Sequence, residues 1–148
     1  TLSDGPRETD SVTGEPVGED LGRVLDRDLQ RLVNALWQAG AEAVSIDGQR
    51  LSSVSTIRAA GQAILVDFTP VADPYRVRAI GPPTMRRAFV TSRAAEQFRW
   101  LQNKYQMGFD VSGQQDLALR AAADPQLRHA KPSKPDQSPA SPSPTGGG

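Results

Sequence analysis

The stretch AGAEAVSIDGQRL, Ala39 to Leu51, places two carboxylates and an arginine within nine positions around a glycine turn. It is either a reactive trio or the end of a helix feeding a tight hairpin. Upstream, Leu25, Leu29, Leu32, Val33, Leu36 and Trp37 recur at helical spacing, which makes one apolar face. The spacing predicts a helix over 27–39 with Asp26 as its N-cap and the whole stripe, Trp37 included, in the core. Gly40 then stands where a left-handed residue stops a helix. Downstream, Ala43, Val44 and Ile46 make a buried strand. Asp47-Gly48 supplies the two residues that accept positive φ in a two-residue hairpin turn.

This assignment leaves little for a trio to do. Asp47 is accounted for by the turn. Glu42 follows a helix C-terminus, where the helix dipole disfavours an anion, so an ion pair with Arg50 or Arg58 is expected.

Outward from the hairpin, AILVDF (63–68) predicts a buried strand and PYRVRAIG (74–81) an alternating one. In the second, Tyr75, Val77 and Ala79 face one way; Arg76, Arg78 and Ile80 face the other. Thr69-Pro70 and Asp73-Pro74 bracket the connection, since proline presets φ for a turn. Gly81-Pro82-Pro83 ends the strand and opens a short helix with Met85, Ala88 and Phe89 on its apolar side. A further helix, capped by Thr91 or Ser92, carries Ala94, Phe98, Leu101 and Tyr105 on one face and ends at Met107-Gly108. FDV (109–111) and DLALR (116–120) read as two closing strands.

The order of elements predicts an α+β domain: a mainly antiparallel sheet of four to five strands, with two or three helices on one face. A ferredoxin- or ACT-like sandwich would satisfy that order. Residues 24–123 form the globular unit. Residues 1–23 read as an acidic, mostly irregular segment, and 124–148 as a Pro/Ser-rich tail with the composition of extended, solvated chain.

Composition removes several function classes. The 148 residues contain no cysteine, which excludes disulfides, thiolate metal sites and cysteine nucleophiles, and suits an oxidising compartment. The single histidine, His129, falls in the tail, where nothing would orient it for catalysis. Gly48, Gly61 and Gly81 are isolated, and no phosphate-binding loop pattern occurs. Glu42, Asp47 and Asp67 are the only carboxylates worth testing as a hydrolytic pair, and structural roles account for them better.

Seventeen basic and seventeen acidic residues cancel, so overall charge gives no reason to expect nucleic acid. The charges are unevenly spread. Residues 1–30 carry eight acids and three bases, and residues 49–104 carry nine bases and three acids. Arg76, Arg78, Arg86 and Arg87 lie on a strand and the helix after it. They are the best candidates for a surface that meets an anionic ligand or a partner. The chain begins with Thr1 and reads as a piece of a longer protein.

At LVNALWQAGAEAVSIDGQRL (32–51) the chain resembles the bacterial YlxW/YlxX-type family, domain of unknown function family 881. Asn34, Leu36, Gly40, Ala41, Glu42, Ala43, Ser45, Ile46, Gly48, Gln49, Arg50 and Leu51 match its pattern, while Val44 and Asp47 depart from it mildly. Ile57-Arg58, Ala60-Gly61, Ile64 to Val66, Pro74-Tyr75 and Arg78 to Gly81 follow in order. The resemblance covers about 24–121. It makes Asn34, Gly40, Glu42, Gly48, Arg50, Arg58, Tyr75 and Gly81 signature positions with structural roles.

It also implies an extracytoplasmic domain of a membrane-anchored protein, with the anchor upstream and Thr1-Leu2 as the stump of a strand. Expected partners are other envelope or division proteins, with self-association as a further option. Neither an enzymatic activity nor a cofactor is implied. Three functions therefore stand to be weighed: a non-catalytic interaction domain, an anion- or ligand-binding domain using the Arg76–Arg87 face, and a carboxylate hydrolase.

Overall fold

A computed structural model describes residues 1–6, 22–115 and 117–119. Most of the acidic segment, the Pro/Ser-rich tail and His129 lie outside the described residues. The elements run β1 (Leu2–Ser3), α1 (Asp26–Gln38), β2 (Ala43–Ile46), β3 (Gln49–Arg50), β4 (Ile57–Ala60), β5 (Ala63–Val66), β6 (Thr69–Val71), β7 (Val77–Ile80), α2 (Met85–Val90), α3 (Arg93–Tyr105) and β8 (Gly108–Phe109).

The class is α+β and every strand pair is antiparallel, as expected. The strands do not make one sheet of four or five with a sandwich layout. Among the described residues they divide into three small sheets, ordered β1-β8, β3-β2-β7 and β4-β5-β6. Six strands fit between α1 and α2, because two tight hairpins were invisible as such in the apolar pattern. One turns at Gly61-Gln62. The other turns at Asp67-Phe68, which leaves Thr69–Val71 as a strand and not as the expected turn. At the other end, residues 117–119 adopt no strand.

The helix begins one residue earlier than its spacing suggests. Leu25, not Asp26, is the N-cap, and the Asp28 carboxylate accepts the Leu25 N–H at 3.0 Å. Asp28 is buried at 6 % exposure, with Arg31 at 3.6 Å as its ionic neighbour. Asp26 is thereby free to do something else. Its Oδ2 accepts the Ala59 N–H of β4 at 3.1 Å, while Gln30 Nε2 donates to the Ile57 carbonyl at 2.7 Å. Side chains of α1 thus occupy the outer edge of β4, and Pro70 lies on the opposite edge strand, β6. Both devices discourage further strand pairing.

Helix α1 ends at Ala39, and Gly40 takes φ +97° as anticipated. The Asp47-Gly48 turn forms with both φ positive, and β2 pairs with β3 across it. Gly81 is demanded by proximity: a Cβ there would lie 2.8 Å from the Gly40 carbonyl oxygen, where β7 leaves the sheet beside the helix end. In α3 the Ser92 hydroxyl accepts the Ala95 N–H at 3.3 Å, as a helix N-cap should.

The core joins Leu29, Leu32, Val33 and Leu36 of α1 to Val44 and Ile46 of β2, Ile64 and Val66 of β5, and Phe89 and Phe98 of α2 and α3. Trp37 departs from expectation. It is 36 % exposed at the edge of the stripe and lies outside the core. The first residues of the chain are built in: Leu2 is 1 % exposed, exchanges backbone hydrogen bonds with Tyr75 and pairs with Phe109. Asp4 ties this segment down. Its N–H donates to Asp73 Oδ1 and its Oδ1 accepts from Val24, both at 2.7 Å.

Candidate functional site

The arginines predicted to converge do so in part. Arg76, just before β7, Arg78 of β7 and Arg86 of α2 line one cleft of about 530 Å³. Its floor is apolar, built from Leu32 and Leu36 of α1, Phe89 of α2 and Phe109 of β8, and the stretch from Asp110 to Gln115 closes one side. Arg87 does not line it.

β7 is an edge strand of its sheet, so residues from both of its faces border the cleft. Val77 and Ala79 pair with Ile46 and Val44 on the core side, while Arg78 stands on the alternate face; it and Arg76 are exposed. Among the described residues Arg76 is anchored only through its backbone, since its N–H donates to Asp47 Oδ1 at 2.8 Å and its carbonyl accepts from Asp47 N. Its guanidinium has no hydrogen-bond or ionic partner among the described residues. Gly113 passes close to the Arg86 stem, and a Cβ there would lie 3.6 Å from its Cδ. Nothing in the residue pattern points to 110–115 as the border of the arginines.

The Glu42–Asp47–Arg50 trio does not assemble. Glu42 is exposed and contributes its N–H to the Ile80 carbonyl at 2.7 Å. No ion pair joins it to Arg50 or Arg58 among the described residues. Arg50 pairs across the sheet with Ser45, and Arg58 instead covers the Phe68 ring, 4.7 Å from its centroid. The expected ion pair fails because strand pairing carries both arginines away from the helix end. Asp67 is also a structural residue: its carboxylate accepts from the Ser55 hydroxyl at 2.6 Å and the Thr56 N–H at 2.8 Å. The three carboxylates therefore share no cleft, and the described residues hold no group of three potential metal ligands.

Two signature positions do meet, in a separate groove. Asn34 and Glu42 line a depression of about 840 Å³ between α1 and the loop from Leu51 to Ile57, together with Trp37. Tyr75 and Gly81 are structural. Tyr75 is buried at 5 % exposure, and burial, reinforced by Asp4 and Asp73, raises its phenol above the usual value. None of the helices among the described residues is long and apolar enough to cross a membrane.

Comparison with known proteins bears on identity more than on chemistry. The family model described as "Bacterial protein of unknown function (DUF881)" matches residues 1–131. The chain is 47 % identical over 109 residues to UPF0749 protein MT1871 of Mycobacterium tuberculosis (strain CDC 1551 / Oshkosh), covering 73 % of this chain and 36 % of that one. It is 36 % identical over 70 residues to UPF0749 protein YlxW of Bacillus subtilis (strain 168), covering 46 % and 30 %. The chain thus spans about a third of the length of these relatives. Among solved structures, an uncharacterized conserved protein from Mycobacterium tuberculosis aligns with a TM-score of 0.45 at 26 % identity, over 53 % of this chain and 59 % of the other. The match to the family model and the relative at 47 % identity agree with the run at 40–51, and the chain belongs to the DUF881 family of bacterial proteins of unknown function.

Proposed function

We propose that this domain is a non-catalytic docking module, carried on the extracytoplasmic side of a membrane-anchored protein of the cell envelope or division apparatus. The observation that carries the docking role is the cleft in which Arg76, Arg78 and Arg86 stand around an apolar floor. An extended acidic segment of a partner protein fits that arrangement. Its carboxylates meet the guanidiniums, which present several donors in a fixed fork, and its apolar side chains meet the exposed Pro82 and Pro83 of the same lining. Asp110 is the one carboxylate among the lining residues, so the cleft's electrostatic sign is positive. The compartment and the anchor follow from the family resemblance and are part of the proposal.

The test is capture of partners by the full-length protein, with Arg78→Glu and Arg86→Glu as comparison, alongside membrane fractionation with external protease. The reading expects a captured protein that is released by salt and lost in the double variant. Capture that ignores both changes, or a full-length protein shielded from external protease in intact cells, would defeat it.

A further inference from the structure

We propose that the groove between α1 and the 51–57 loop binds a neutral saccharide, independently of the arginine cleft. Three observations carry this. First, Asn34 and Glu42 are exposed on the groove wall, and neither side chain has a hydrogen-bond or ionic partner among the described residues. Nothing in the fold needs their amide and carboxylate. Second, Trp37 lies between them in sequence and lines the same groove. It left the core, so part of its indole is open to solvent. Third, the facing loop supplies hydroxyls. Those of Ser52 and Ser55 are engaged with each other and with Asp67, whereas Ser53 and Thr56 have free hydroxyls among the described residues.

The combination selects a ligand chemistry. Glu42 is the one charged residue in the lining; the rest is neutral amide, hydroxyl and apolar surface. A sugar ring has a face of C–H groups that lies well on an aromatic ring, whose negative face attracts them. Around its rim it has hydroxyls that both donate and accept. A planar amide offers donors and an acceptor, and a carboxylate offers two acceptors, so Asn34 and Glu42 can each span a neighbouring pair of hydroxyls. The groove volume falls within the usual range for small-ligand sites. A cationic ligand would find a single carboxylate and no second anion. An apolar ligand would leave the amide and the hydroxyls unmatched.

The experiment uses the 148-residue chain carrying Trp100→Phe. Trp100 is 52 % exposed on α3, so this change leaves Trp37 as the one indole reporter. The probes are cellotetraose and chitotetraose, titrated with Trp37 emission and NMR shifts as readouts. The expected result is saturable binding of at least one probe with Kd near 1 mM or tighter, on the order of a weak specific site. Asn34→Ala and Glu42→Ala should each weaken it roughly tenfold. Both residues are exposed and unpartnered, and circular dichroism checks that the variants keep the fold. Added salt should change little. The proposal is overturned if neither probe binds, if binding survives both substitutions, or if salt abolishes it. Reversal of Arg78 and Arg86 should leave saccharide binding intact, so failure of the docking proposal is read separately.

Discussion

Strands β2 and β5 are both four residues long, both apolar in sequence and both central in a three-stranded antiparallel sheet. They end up in different environments. AVSI of β2 is buried at every position, although it contains a serine. AILV of β5 is wholly aliphatic, yet only Ile64 and Val66 are buried, while Ala63 and Leu65 remain partly open. Hydrophobicity along the strand therefore does not rank the two. What ranks them is position: β2 lies between β3 and β7 beneath α1, whereas β5 belongs to a sheet whose second face looks outward.

The sharpest way to break this comparison is to shave one side chain from each strand. Ile46→Ala in β2 should cost about 2–5 kcal/mol in urea denaturation, because a fully buried aliphatic leaves a cavity as well as losing transfer energy. Leu65→Ala in β5 should cost about 1 kcal/mol or less. Comparable losses would mean that the outer sheet is covered on both faces.

A smaller effect tests what holds the outer sheet to its loop. Asp67→Ala removes acceptors from both Ser55 and Thr56 and should destabilise by about 1–2 kcal/mol, with hydrogen exchange quickened first at Thr56. An unchanged denaturation midpoint would show these bonds to be dispensable.

Ser45→Ala should move the other way. The Ser45 hydroxyl is buried with no hydrogen-bond partner among the described residues, so its removal should be neutral or stabilising by up to about 1 kcal/mol. A clear loss of stability would reveal a partner for that hydroxyl.

The smallest change is expected at the outer hairpin tip. Phe68 is 74 % exposed and sits at φ +67°, a conformation that suits glycine far better. Phe68→Gly relieves that strain and loses the Arg58 stacking, so the net gain should be about 0.5 kcal/mol. A thermal melt that shifts downward would indicate that the stacking outweighs the backbone strain.

Much of the fold was legible wherever a residue type has one strong structural use. Gly40 ends α1, Asp47-Gly48 turns β2 into β3, and Ser92 caps α3 for that reason. The outer hairpins were hidden because Asp67-Phe68 is a poor turn by composition, and the pairing of β5 with β6 holds both residues at positive φ. The three-sheet division was likewise invisible. Strand periodicity sets which face a side chain takes, not which strand it pairs with. Convergence of Arg76, Arg78 and Arg86 could be guessed from adjacency along the chain. The groove of Asn34, Trp37 and Glu42 could not, because the helical stripe placed Trp37 among core residues and local charge gave Glu42 a partner it does not have.

The pairing of β1 with β8 also bears on time. Leu2 finds its neighbour at Phe109, so the strand synthesised at the start of this stretch cannot be completed until the last of the described strands exists. At roughly 5–20 residues per second, its backbone groups wait several seconds beyond their own translation. During that interval an almost fully buried leucine is without its native cover, and the domain closes at its two ends together rather than from one to the other.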